Sequence, residues 1–573
     1  MTRHSVTRTG IAALAASLFV AVAPLPTANA QVAGVAPLRT SGNTRLGTDP
    51  GATRGADAVG LAIDPSNSNH VAETNVDIVR GNCTYNVTFD GGATWSGGIF
   101  RNPDGFPQAD SQFPAPMCNA GSSMDGGVAF GSGQNVFAAW SSRRDPNNGD
   151  SMIVARSTDG GRTYGTGAVA LNNPSAGTPS YQTPEVVVQR GAGAGGADRV
   201  YISTRASGQP APATTRMILT RSDDGGLTWS APLDASGATE GSVSEPSAPV
   251  VAANGTLYVA GRTATFEGFI IVARSTDQGA TWTLTRAAPV RGYDDGTSQF
   301  ASSSFPRLDI DPRNGTVYGT YMQGPAPAGR LDHFIHPDVD AIVIRSTDGI
   351  TWSAPKRIND DPVGSGAPNN GPAQRQPNIN VAPNGRVDVV WQDRRHAYRP
   401  PTHSHVGDGE ARMGDTYYSY STDGGVNFSP NRRISDRTQN LDVGYDHQGS
   451  VYWNFSPALV AVGNDKVMFA WMDSREGNLD NESQDIYLAT LDVNGATGPI
   501  PVRRLPSADA ADLSVAVSRL GYQGGPEAVL NAGFANRPAT RVVIVNASDG
   551  PAAMVGAVLA RAHLGPVLAA PGG

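Results

Sequence analysis

Short apolar runs, separated by clusters of Gly, Pro, Asp and Ser, recur along this chain from residue 56 to about residue 500. Runs of this length, rich in Val, Ile, Tyr and Trp and bounded by turn formers, predict β-strands. One set opens near a proline: Pro184–Val188, Pro246–Val251, Pro306–Ile310, Pro377–Val381 and Pro457–Val462. A second set follows at Asn135–Trp140, Arg199–Ser203, Thr256–Ala260, Thr316–Tyr321, Val387–Trp391 and Lys466–Trp471. A third comprises Met152–Arg156, Phe269–Arg274, Ala341–Arg345 and Thr416–Ser419, and a fourth strand leaves from an aromatic residue after a tight turn. Four antiparallel strands repeated at this period make the blades of a propeller. The expected fold is all-β, with seven blades favoured and six as the alternative.

The turn between the third and fourth strands carries the repeat most plainly. It reads Thr88-Phe-Asp90-Gly-Gly-Ala-Thr-Trp95, then Ser157-Thr-Asp159-Gly-Gly-Arg-Thr-Tyr164 and Ser222-Asp-Asp224-Gly-Gly-Leu-Thr-Trp229. Ser275-Thr-Asp277-Gln-Gly-Ala-Thr-Trp282, the one-residue-shorter Ser346-Thr-Asp348-Gly-Ile-Thr-Trp352, and Ser421-Thr-Asp423-Gly-Gly-Val-Asn-Phe428 follow. A degenerate seventh copy is read at Thr490-Leu-Asp492-Val-Asn-Gly495. A carboxylate here accepts backbone N–H bonds within its own turn, and the glycine two residues later takes a positive φ. The aromatic buries its ring between neighbouring units. Six copies in register resemble the Asp-box, or BNR, repeat of sialidases and other secreted propellers. Classical sialidases have six blades, so a count of seven departs from them.

The ends of the chain differ from this pattern. Arg3, His4 and Arg8 precede an apolar stretch from Ile11 to Pro24, and Ala28-Asn29-Ala30 offers a small-x-small cleavage site. Residues 1–30 thus read as a signal peptide and 31–55 as a linker, ahead of a propeller over 56–500. The apolar stretch is too short to span a bilayer, so no transmembrane anchor is expected after cleavage. Residues 501–573 are Ala-rich, with helices expected at Ala508–Leu520 and Gly550–Leu564 and a strand at Arg541–Asn546. The run from Arg541 to Leu568, with Arg504–Ser518 before it, resembles the bacterial cell-wall-binding repeat type 2. That family usually carries three copies, forms an α/β toroid and holds exported proteins on anionic wall polymers; here one partial copy is present.

Composition narrows the function. The net charge is −8, which supplies no basic field for nucleic acid. Lys356 and Lys466 are the only lysines, and with abundant Ala and Gly this points to a GC-rich bacterial genome. Export to an oxidising compartment lets the two cysteines, Cys83 and Cys118, form a disulfide. The expected location is secreted or wall-associated, as a monomer without an organic cofactor.

Because all boxes share one rim, ligand chemistry is expected on the other, where strand two meets strand three. An arginine recurs there at Arg143, Arg205, Arg262, Arg394 and Arg475. Such a crown can grip a carboxylate or phosphate by forked hydrogen bonds; the alternative is that periodic arginines tie each blade to the next. Gly292-Tyr293-Asp294-Asp295 and Gly444-Tyr445-Asp446-His447 pair a tyrosine with acids, as a sialidase does, but also suit plain turns. His333, His336, Asp338 and Asp340 with His396, His403, His405, Asp408 and Glu410 are candidate metal ligands, with structural Ca²⁺ on the acids, or else solvated loop residues. The Phe/Tyr-Arg-Ile-Pro motif of sialidases has no counterpart before Asp90. The expectation is therefore a propeller binding extracellular glycan or cell-wall polymer without sialidase catalysis. An exo-sialidase-like glycoside hydrolase acting on an acidic sugar and a protein-interaction propeller are the alternatives.

Overall fold

The computed structural model describes residues 39–40, 44–46, 56–77, 82–104, 127–143, 150–173, 179–208, 215–237, 242–244, 246–263, 267–291, 306–324, 339–361, 374–395, 413–440, 459–475, 485–493, 543–546 and 567–570. Their strands form seven antiparallel sheets whose innermost strands neighbour one another in sequence order, and the last of these returns to the first. This is a seven-bladed β-propeller. Blade 1 holds Ala56–Asp64, Asn67–Asp77, Asn82–Thr88 and Ser96–Ile99. Blade 2 runs from Val128–Phe130 to Ala168–Leu171, and blade 3 from Ser180–Gln189 to Leu233–Asp234. Blade 4 ends on Thr283–Arg291, blade 5 on Lys356–Arg357 and blade 6 on Arg432–Arg433.

Blade 7 is assembled from both ends of the propeller. Its first three strands are Leu459–Val462, Lys466–Asp473 and Asp485–Asp492. Its outer strands are Arg39–Thr40 and Thr44–Leu46, which pair antiparallel with Asp485–Asp492. The stretch expected to be a linker thus contains strands. Leu46 is buried against Ala470, Met472, Ile486 and Leu488, which compensates for its lack of any periodic pattern. This also explains the degenerate box. Trp391 pairs with Tyr417 and Trp471 with Tyr487, so by register Val493, not Asp492, occupies the position of Asp423. Among the described residues the fourth strand of this blade comes from the N-terminal segment rather than from a hairpin after strand three.

The six clear boxes all join strand three to strand four. In the second, Thr163 donates to Asp159 from its amide at 2.9 Å and from its hydroxyl at 2.6 Å, and Ser157 donates its hydroxyl at 2.7 Å. Gly161, two residues on, has φ 90°, a region that side chains avoid. The aromatics then fill the seams between blades: Trp229 packs with Phe137 and Val154 of blade 2, and Trp282 with Tyr201 and Leu219 of blade 3. Two inner strands differ from expectation. Pro184 and Pro377 do not open them; the strands begin at Ser180 and Gln374, and each proline follows a bulge. A proline cannot donate to a ladder, so it sits where pairing is interrupted.

Beyond the propeller, Val543–Asn546 and Val567–Ala570 pair in parallel. The signal-peptide segment and the two expected tail helices lie outside the described residues.

Candidate functional site

On the rim opposite the boxes, strand two of blades 6 and 7 ends in one recurring arrangement. Trp391 donates its indole N–H to Asp393 Oδ2 at 2.8 Å, and Trp471 does the same to Asp473 at 2.8 Å. Both carboxylates are fully buried. Each then accepts a guanidinium two residues on: Arg395 bonds Asp393 through Nε at 3.0 Å and Nη2 at 2.8 Å, and Arg475 bonds Asp473 through Nη2 at 2.6 Å. The other end of each arginine reaches the preceding blade, Arg395 to Asp360 at 2.6 Å and Arg475 to Asp436. Their planes lie over Tyr417 and Tyr487, 4.3 and 4.1 Å from the ring centres. Burial alone would lower the pKa of both guanidiniums, but bonds to Asp393 and Asp473 outweigh it and raise them. These are braces between blades. Register places Arg395, rather than Arg394, in the position of Arg475, and the spacing Trp-x-Asp-x-Arg is the signal that identifies it.

The remaining candidates divide. Arg205 donates to Gln182 on the inner strand of its own blade at 2.7 Å. Arg262 and Arg394 are buried, and the backbone of Arg143 pairs with Asp150. In blade 2 the seam uses an amide: Trp140 donates to Asn102 at 2.9 Å, and Asn102 donates to Ser142 at 3.0 Å. Tyr293, Asp294, Tyr445 and Asp446 lie outside the described residues, as do His333, His336, Asp338, His396, His403, His405, Asp408 and Glu410. Asp340 is described, and its Oδ1 accepts from Arg357 at 2.5 Å and Asn359 at 2.8 Å. Among the described residues no His, Cys, Asp and Glu cluster is fit to hold a metal. Cys83 is buried and disulfide-bonded; Cys118, the only other cysteine of the chain, lies outside the described residues.

The inner strands supply residues that the sequence reading did not select. Glu185 of blade 3 and Arg307 of blade 5, both buried, form an ion pair. Blades 3 and 5 are not neighbours, so this pair crosses the space that the inner strands enclose. The two bulges stand beside it. Between Gln182 and Glu185 the inner strand has one residue more than its partner, and the same holds between Arg375 and Asn378. Thr183 and Gln376, the bulge residues, have φ of 53° and 47°. A left-handed β-branched threonine is strained, and bulges of this kind re-aim side chains near sites. Two residues beyond Arg307, Asp309 accepts the amides of Val381 at 2.6 Å and Ile310 at 2.8 Å. Burial outweighs both bonds and pushes its carboxyl up to about 7. At the seam of blades 5 and 6, burial likewise pushes Asp361 up to about 6, against bonds from Asn359 and the charges of Arg357 and Arg395. The rim opposite the boxes therefore offers at Asp361 a carboxyl that titrates near neutrality beside committed arginines, while Asp309 stands on its inner strand toward the box rim.

The chain matches no family model and no curated protein. Among solved structures it is similar to a protein of unknown function from Dyadobacter fermentans, at 14% identity and a TM-score of 0.39, over 80% of this chain and 99% of that one. A Hadza microbial sialidase gives 14% and 0.38, over 71% and 73%. An α-L-arabinanase of Penicillium chrysogenum, complexed with arabinobiose, gives 13% and 0.38, over 62% and 94%. Likeness at this level adds nothing to the fold assignment, which rests on the strand order and register above. No helix of the described residues is long and apolar enough to cross a membrane.

Proposed function

We propose that this chain is an exported propeller that binds an extracellular glycan or cell-wall polymer on the rim opposite its Asp boxes, without sialidase catalysis. The observation that carries this reading is the commitment of Arg475 to Asp473 and Asp436. A forked grip on a ligand carboxylate needs guanidinium edges that face it. Arg395 is engaged in the same way as Arg475, and Arg205 bonds Gln182. What lines the enclosed space instead is a balanced pair, Glu185 against Arg307. Such a lining suits the hydroxyl groups of a neutral or weakly acidic sugar, which both donate and accept. The N-terminal export pattern and the wall-repeat-like tail support an extracellular polymer as the ligand. On this reading the protein works as a secreted or wall-associated monomer without an organic cofactor.

The test is a glycan and wall-polymer binding screen with the purified mature chain, run beside a hydrolysis assay on fluorogenic glycosides. Binding without product release at any pH is the expected result. Turnover of a sialoside, lost in Tyr293→Phe or Tyr445→Phe, overturns the proposal in favour of a hydrolase. Absence of any glycan binding, with one protein recovered specifically in pull-downs, overturns it in favour of a protein-interaction propeller.

A further inference from the structure

Aligning the seven blades by register isolates one residue. The second-strand residue opposite the first box hydroxyl is Val71, opposite Thr88; its counterparts are Val136, Val200, Leu257, Val317 and Val387. The matched tryptophans Trp391 and Trp471 add Val467 in blade 7. Two residues further on, the side chain meets the preceding blade. In six blades that position is apolar or glycine: Ala138, Ile202, Val259, Gly319, Val389 and Phe469. In blade 1 it is Glu73, which is wholly buried.

Glu73 lies in the joint that closes the ring. Its face of blade 1 packs against blade 7: Ile63 and Val71 touch Ala461 and Met468, while Leu61 and Trp95 pack on Ala470, Met472, Ile486, Leu488 and Leu46. Its described partners are two neutral amides, Asn75 at 2.9 and 3.1 Å and Asn86 at 2.7 Å. The residues that face it from blade 7 are the apolar set just named. Charged groups described at this joint stand at its two ends, Lys466 bonded to Asn69 and Asp485 paired with Arg45. This joint also has the weakest covalent support. Elsewhere a box hairpin ties strand three to strand four, whereas here strand four comes from the distant N-terminal segment.

We propose that the joint between blades 7 and 1 is a pH-sensitive latch, shut while Glu73 is neutral and loosened when it ionises. A buried carboxylate with no cation beside it is costly, whereas a neutral carboxyl bonded to two amides is not. Burial, against the bonds from Asn86 and Asn75, pushes Glu73 up from the ordinary 4.5 to about 7. The folded value exceeds the unfolded one, so the neutral form stabilises the joint. That stabilisation is complete below the unfolded value and is lost as pH rises to about 7. The propeller is thus most tightly closed in a mildly acidic setting.

Hydrogen exchange of the intact mature chain at pH 5.5 and 8.5, corrected for intrinsic rates, tests this. Peptides spanning 67–77, 466–473 and 485–492 should open about thirty-fold more at the higher pH by proton linkage, with blades 2 to 4 unaffected. Glu73→Gln should remove the difference at the joint while leaving any pH response of blade 5 in place. Glu73→Ile, the residue of blade 3 at this position, should do the same and serves if the glutamine variant folds poorly. Equal protection of the wild-type joint at both pH values, or a response that survives in both variants, overturns the proposal.

Discussion

The two rims of this propeller put their aspartates to different uses. On the box rim, Asp224 takes its bonds from Thr228 and Ser222, all within one turn and close to water. On the opposite rim, Asp473 is fully buried, accepts from Trp471, and holds Arg475, which crosses to Asp436 in the blade before. A local cap forms as soon as its turn forms and depends little on the rest of the molecule. A buried brace forms only when two blades meet, and each of its members then depends on the others. The conspicuous box carboxylate is therefore the more expendable of the two aspartates, while the box aromatic and the buried brace both tie one blade to the next.

Removing a brace is the sharpest way to test that contrast. Asp473→Ala leaves Arg475 buried with half its partners and orphans the Trp471 indole, so it should cost about 3–5 kcal/mol in urea unfolding. A loss below about 1 kcal/mol would put this brace on a par with a surface pair. Next in size is the closing strand. Leu46→Ala empties a site enclosed by Ala470, Met472 and Leu488 and should cost about 2–4 kcal/mol, with the loss concentrated in blade 7 exchange.

Asp309→Asn should stabilise only above neutrality. The carboxyl of Asp309 is pushed up to about 7 from 3.8, so its neutral form favours the fold. Its contribution is present below 3.8 and fades as pH rises to about 7. The variant should thus gain about 1–2 kcal/mol over wild type at pH 8, discounted for partial access to water, and lose about 1 kcal/mol at pH 3.5, because its amide has one acceptor oxygen where the carboxyl serves both Val381 and Ile310. The smallest effect belongs to a box. Asp224→Ala should cost about 0.5–1 kcal/mol, since its hydrogen bonds are replaced by water. Partial burial of Asp224 is outweighed by the Thr228 and Ser222 bonds, which hold it down to about 2. Its share of stability is therefore complete above 3.8 and is lost as pH falls through about 2. A box variant as damaging as Asp473→Ala would erase the distinction between the rims.

Much of this architecture was legible from local pattern. The box turns announced themselves because Asp, Gly and the following aromatic act within eight residues, and their spacing set the phase of every strand. The rim assignment followed from that phase. The sequence also offered Arg475 together with its competing readings, and the geometry favours a tie between blades. Arg395, one residue past Arg394, matches Arg475, because only the pairs Trp391 with Tyr417 and Trp471 with Tyr487 align the two clamps.

What the chain could not reveal residue by residue is everything that joins distant segments. Thr44–Leu46 has no strand signature of its own; it becomes the outer strand of blade 7 because a third strand with an unpaired edge awaits it more than 400 residues later in the chain. Glu185 and Arg307 are 122 residues apart and meet only because the ring brings blades 3 and 5 to face each other. Glu73 looks like an ordinary strand residue until the ring closes and buries it. Turn chemistry and hydrophobic period are encoded within a few residues, so the sequence alone determined the blades and their orientation. Burial, ion pairing and the shift of a carboxyl depend on what arrives from elsewhere, so the tertiary structure alone decided which charges brace, which line the enclosed space, and which can titrate.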